Sequence, residues 1–282
     1  MSKITLPVLA ALLILAALPS CRKVYDFIRD HPDAHENFCR VSKLTIRGAL
    51  GDPDLFIFSY NAKGNPISIV DSVPPGSNGN VDQYFRYDGL DRLTDFITTF
   101  IGSNVAIIWH KYAYPGQGFI TDTVLEYTGR SDGPAPIAGA SSSFLLFIHG
   151  YSLDARGRIS KYWTLSENPH QPPVFDGDAI YDAGGNLPLP HAGLYYDDKV
   201  NVYRTNKIWQ FVYQDYSRNN ILPSDPGTPY PPLPLPVYND FGLPVLLPNS
   251  LERNRTLFFL NNTNPTMVIT YACSMPKGSV DY

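Results

Sequence analysis

The stretch "RYDGLDRLTDF", residues 86–96, places Asp88, Asp91 and Asp95 within eight positions. Three carboxylates so close suit either a cation-binding loop or a turn between two strands. Recurrence decides for the turn. Aligned on Tyr87, similar units start at Tyr60, Tyr114, Leu153, Tyr181, Tyr196 and Tyr238, at first 27 residues apart. Asp or Asn follows the leading residue in six of the seven units, where its side chain bonds the backbone two residues on and opens a turn. Four residues after the leading residue stands Gly64, Gly118, Gly157, Gly185 or Gly242, and Asp91 in the quoted stretch. That place calls for a left-handed backbone, which Gly adopts freely and Asp tolerates. Val200 breaks the rule in the Tyr196 unit, the weakest of the seven. An apolar residue two positions later starts the return strand, so each unit reads as a hairpin with a longer loop. Asp88 is then a turn initiator, Asp91 takes the glycine place, and Asp95 is expected to face solvent from the return strand.

Composition agrees. Of 282 residues, 44% are hydrophobic and 17% charged, enough apolar content for a packed core. Glu is nearly absent, at Glu36, Glu126, Glu167 and Glu252 alone, while the chain holds 19 Tyr, 26 Pro and 21 Gly. Strands favour aromatic and β-branched residues, and turns favour Asp, Asn, Gly and Pro. Residues 54–60, 104–114, 119–127 and 144–153 read as strands, several of them alternating as a sheet with one wet face does. Residues 207–221 are expected to form one short helix, and the proline-rich residues 223–236 an extended crossover. The expected fold is all-β: a large twisted antiparallel sheet of repeated hairpins of about 27 residues, with at most one or two short helices. Net charge is −4 and Lys and Arg do not cluster, which argues against nucleic acid as a partner.

The first twenty-one residues, MSKITLPVLAALLILAALPSC, carry Lys3 and then an apolar run from Ile4 to Leu18. The run is shorter than the roughly 20 residues a membrane-spanning helix needs and suits a signal peptide. Leu18-Pro19-Ser20-Cys21 resembles the lipobox of bacterial lipoproteins, with Pro at the second position a departure. The resemblance implies removal of residues 1–20, acylation of Cys21, a tether over residues 21–38, and one repeat domain over residues 39–282. Localisation would be the bacterial cell envelope, anchored to the outer membrane and facing the periplasm. Within the tether His31 and His35 have metal-ligand spacing, but Pro32 interrupts the helix that would align them. With Cys21 lipidated, Cys39 and Cys273 remain as an even pair in an oxidising compartment. They lie in "FCRVSKLTI" and "VITYACSMP", at opposite ends of the repeats. They are expected to form a disulfide that makes the first and last strands neighbours, the alternative being two buried thiols.

"FRYDGLDRLTDF" and "IYDAGGNLP" resemble the YD-repeat signature, Tyr-Asp-x-x-Gly-Arg/Asn-Leu, of rearrangement-hotspot and teneurin-type proteins. The order of motifs over residues 38–273 is closer to Bacteroidetes-type lipoproteins with degenerate YD-like repeats: a Cys-led first strand, "YNAKGNP", "YDDKVN" with "YSRNNIL", "YNDFGLP", and a closing "ITYAC". The resemblance implies a large antiparallel sheet and brings no catalytic residues with it. Seven units are too few to enclose a cargo as rearrangement-hotspot shells do.

No motif for chemistry emerges. Gly-x-Ser-x-Gly and phosphate loops are absent, and Ser141–Ser143 reads as a loop. His110 and His149 sit within strands, where a structural role is expected; His170 and His191 are scattered. No catalytic residue, metal ligand or cofactor is therefore expected. The function read from the sequence is an envelope-anchored, non-enzymatic binding or scaffold module. Its partners would be the membrane, through the N-terminal lipid, and a glycan or an envelope protein. An exposed row of rings, with Trp109, Trp163 and Trp209 the candidates, would take the ligand. The alternative is a glycan-active hydrolase, which needs paired Asp or Glu carboxylates in a cleft.

Overall fold

A computed structural model describes residues 39–47, 53–72, 81–99, 107–127, 143–168, 170–189, 194–223, 235–248 and 266–273. The chain runs β1 (Cys39–Arg47), β2 (Asp54–Tyr60), β3 (Pro66–Asp71), β4 (Asp82–Tyr87), β5 (Leu93–Thr99), β6 (Ile107–Gly116), β7 (Phe119–Tyr127), β8 (Ser143–Leu153), β9 (Ile159–Leu165) and β10 (Val174–Asp178). These ten strands form an antiparallel meander. Next come β11 (Leu194–Val200), a 3-10 turn (Val202–Thr205), helix α1 (Lys207–Val212) and β12 (Asn219–Pro223). The chain then returns through β13 (Val237–Tyr238), β14 (Pro244–Pro248) and β15 (Thr266–Cys273). Because β15 pairs with β1, the sheet has 13 strands in the order β10 to β1, then β15, β14, β13. The two ends of the chain's sheet thus meet in its interior, and Cys39 faces Cys273 in register. The two are disulfide-bonded across 234 residues of sequence, with Cα atoms 4.0 Å apart.

The turns share one geometry. Gly64, Gly118, Gly157, Gly185 and Gly242 have φ between 72° and 90°, and Asp91 has φ 60°. In the quoted stretch Asp88 Oδ1 accepts from the amides of Leu90 and Arg92, and the Asp91 amide donates to the Asp88 carbonyl. Asn61, Asp154 and Asn239 make the same pair of side-chain bonds in their own units. The Arg92 amide, and then its guanidinium, hold the Asp88 carboxyl below the usual carboxylate range. Arg92 also lies over the Tyr114 ring at 4.5 Å, and Arg158, paired with Asp154, lies over Tyr181 at 3.9 Å.

The leading tyrosines do more than end strands. Four of them, and Tyr271 of β15, bond the backbone carbonyl that stands six residues after the leading residue of the unit before, while Tyr60 donates to the Val41 carbonyl and Tyr238 to the Asp197 carboxylate. Tyr87 donates to Pro66, Tyr114 to Leu93, Tyr181 to Ile159, Tyr196 to Leu187 and Tyr271 to Pro244, at 2.7–3.0 Å. The hydroxyl satisfies a carbonyl at a turn, where the ladder lapses. Phenylalanine would serve packing equally but leave that group unpaired.

Three expectations are corrected. The Tyr196 unit makes no hairpin: Tyr196 to Val200 lie inside β11, and Asp197 Oδ1 accepts from Lys199 and from Asn220 on β12. A non-Gly residue at the turn place let the chain stay extended. The helix covers only 207–212, and residues 219–221 belong to β12. Its sequence, KIWQFV, is aromatic and β-branched, so packing rather than propensity holds the one and a half turns. Asn206 caps its start and Gln214, at φ 51°, ends it. Asp95 does not face open solvent: it is 9% exposed and accepts from Trp109 Nε1 at 2.7 Å.

The core lies on one face of the sheet, termed inner, beneath the segment 202–222. Trp209, fully buried, is ringed by Phe58, Tyr60, Phe85 and Tyr213 at 5.3–6.3 Å. Asn206 ties the segment to the first turn by donating to the Gly64 carbonyl. Gly64 therefore carries two constraints. Its φ is positive, and an added Cβ would meet the Arg40 guanidinium at 2.5 Å. Gly64→Val is expected to lower stability by about 2–3 kcal/mol. Gly89→Ala, in a turn with nothing near the new methyl, should stay within about 0.5 kcal/mol of wild type. Denaturant midpoints of the two variants check this; equal midpoints would refute the shared turn geometry.

Candidate functional site

Where the inner cover ends, the sheet continues. Phe211 of α1 packs on Tyr112 of β6 and Tyr151 of β8, at 5.0 and 5.9 Å. Beyond it the inner face is floored by His110 and His149, which stack with Tyr112 and Tyr151 along their own strands. Phe147 stacks on His149 in turn and is 58% exposed; Val174 on β10 is equally open. The carboxylate of Asp122 lies beneath this floor, 2% exposed. It accepts from His110 Nδ1 at 2.9 Å and from the Tyr151 hydroxyl at 3.1 Å. Gln214, just past α1, donates to that same hydroxyl. Burial first, then the Asp122 charge, raises the Tyr151 phenol well above its ordinary range, so it stays protonated and donates. The chain of bonds joins sheet to cover, and the structural role expected of His110 follows from it.

The opposite, outer face carries rings at the same end. Phe119 (β7), Trp163 (β9) and Phe175 (β10) line up across Gly150 of β8. Gly150 pairs with Trp163, and Trp163 with Phe175. A Cβ on Gly150 would meet the Phe119 ring at 2.7 Å and Trp163 Cβ at 3.3 Å, so the glycine makes room for the row. Trp163 and Phe175 meet edge to face at 5.1 Å, and Trp163 Nε1 donates to Ser152 Oγ at 3.0 Å, which fixes the indole. Lys161 Nζ stands 5.9 Å from the Phe175 ring.

The tryptophan row expected from the sequence is corrected in part. Trp209 is fully buried under α1 and Trp109 is 7% exposed beneath Lys111, against Ile97. Trp163, half-buried, is the one at the surface. The sequence held no signal separating them, because all three sit in similar aromatic surroundings. Phe119 and Gly150 carry no signal of their own in the sequence, standing within the strand-like stretches 119–127 and 144–153.

For carboxylate chemistry the arrangement is sparse. Asp82 on β4 is raised above the usual carboxylate range, by burial first and with the Asp71 charge adding to it, although the Asp71 amide donates to it at 2.9 Å. Tyr84, beside it, is pushed up to about 12 by burial and then the Asp82 charge. Among the described residues no three of His, Cys, Asp and Glu converge to hold a metal, and no helix is long and apolar enough to cross a membrane. Cys21, His31, His35 and His191 lie outside the described residues, as do Ser141 and Ser142; His170 sits on an exposed loop. The sequence matches no known protein family and no characterised protein with which it was compared.

Proposed function

We propose that this protein is a lipid-anchored module of the bacterial cell envelope that binds a ligand on its sheet and performs no catalysis. The observation that supports binding is the sheet beyond the cover. There β8 to β10 carry apolar side chains open on both faces, Phe147 and Val174 on one and Phe175 on the other. Exposed apolar surface of this kind on a soluble domain marks an interaction site. Anchoring rests on Leu18-Pro19-Ser20-Cys21, and the YD-like repeat family is the kinship the turn motifs favour.

Two acyl chains on Cys21 would hold the protein at a membrane stably, whereas one binds marginally. Cys21→Ser is expected to move the protein from the membrane to the soluble fraction and to abolish uptake of labelled fatty acid. A Ser variant that stays with membranes, from a wild type that takes up no label, removes the anchor. The binding role is tested by thermal shift of the mature domain against glycans and peptides.

A second reading, a glycan-active hydrolase, draws on Asp82. A raised carboxyl beside a second carboxylate is what a general acid needs. Chain shortening of any glycan in the same screen, abolished by Asp82→Asn, would establish the hydrolase in place of the binding module.

A further inference from the structure

The row of Phe119, Trp163 and Phe175 deepens the proposed binding role and rests on it: we infer that these rings form a stacking platform for a neutral glycan chain. Three observations favour a saccharide over a protein partner. First, the platform is small. An aromatic side chain covers about 150–250 Å² when fully buried. Phe175 is 48% exposed and the other two less, so the open ring surface is on the order of 200–300 Å². A stable protein interface needs roughly 800 Å² from each partner.

Second, the neighbouring sheet edge is closed to an added strand. The register of β10 shifts between Phe175 and Gly177, and Asp176 and Asp178 are exposed along it. A bulge and charges at an edge oppose strand pairing. Third, the rings alternate with groups that hydrogen-bond hydroxyls: Ser152 Oγ beside the indole, Thr121 opposite Gly150, and the exposed Lys161 ammonium opposite Ser152 and Asp178. The Lys161 and Asp178 charges offset one another. A pyranose presents a C–H face to rings and hydroxyls at its rim, which is the complement of this surface. Gly150 keeps the row continuous, since any side chain there would push Phe119 and Trp163 apart.

Trp109 and Trp209 are buried, so intrinsic tryptophan emission reports Trp163 on contact with a ligand. The mature chain is titrated to millimolar concentration with cellohexaose, xylohexaose and chitohexaose, by emission and by calorimetry. At least one hexasaccharide is expected to give a saturable emission change. Trp163→Ala should weaken that binding tenfold or more, with the thermal midpoint within a few degrees of wild type. Phe175→Ser, at a half-exposed ring, should weaken it several-fold and serves if Trp163→Ala fails to fold. Saccharide binding that survives both substitutions overturns the platform and leaves the binding role standing. No binding of any hexasaccharide also overturns it, and the wider role then rests on the peptide arm of the thermal-shift screen.

Discussion

Trp209→Ala is expected to cost about 3–5 kcal/mol, the range for removing a fully buried tryptophan. The reason is position as much as size. Trp209 is the side chain through which α1 meets Phe58 and Tyr60 on β2 and Phe85 on β4. The helix is six residues long and does not persist without packing. Losing the indole therefore loosens the whole segment 202–222 and wets the inner face from β2 to β5. Asn206 would still tie it to the first turn through the Gly64 carbonyl, Tyr213 to Gln83 of β4 and Gln214 to Tyr151 of β8. Trp209→Phe keeps part of the ring and should cost less than half as much. Chemical denaturation checks both, with the slope as well as the midpoint recorded, because a detached cover exposes surface before global unfolding. An alanine variant within about 1 kcal/mol of wild type would show that the cover is held elsewhere.

Removing the disulfide is the second large effect. The bond joins positions 234 residues apart, and the chain-entropy account assigns a loop that long on the order of 5 kcal/mol as an upper figure. The double replacement Cys39→Ser with Cys273→Ser keeps the register of β1 against β15, so the expected loss comes mainly through the unfolded state. Position adds to it. Cys39 is the first residue of β1, where the tether would enter, and its partner ends β15. A pull transmitted along a lipid tether would meet the covalent bond before any ladder hydrogen bond. The measurement is the denaturation midpoint of wild type with and without reductant, beside that of the double variant. Reduced wild type and the variant should coincide, both well below the oxidised protein. Three coincident midpoints, or two thiols titrating in the unreduced denatured mature protein, would refute the bond's role.

How much of this was legible in the sequence follows from the range of each interaction. The turns were legible because their causes lie within five residues. Asp88 bonds amides two and four positions on, and the left-handed place admits Gly or Asp at little cost. The pairing of Cys39 with Cys273 was legible by elimination once Cys21 was set aside, and it carried the adjacency of β1 and β15 with it. The tyrosine ladder had a readable sign, Tyr at the leading position in six of seven units, but its acceptors stand on neighbouring hairpins, and only the folded sheet brings them into reach.

Tertiary structure alone decided which face was covered and how far. Asp95 looked like a solvent-side residue because alternation in "LTDFI" marks two faces without saying what lies on the second. Trp109 arrives there from the next strand and donates to it. Tyr196 led a motif that reads as a turn, yet β12 pairs with that stretch and keeps it extended. The helix stopped at Val212 because the residues after it were recruited to β12 and to the Asp122 network. Trp163 stayed at the surface while Trp209 became the centre of the core for the same reason: the segment 202–222 covers only part of the inner face and none of the outer. Local turn chemistry is set by bonds a few residues long. Burial is set by what a distant segment packs against, and no window of this sequence contains both partners.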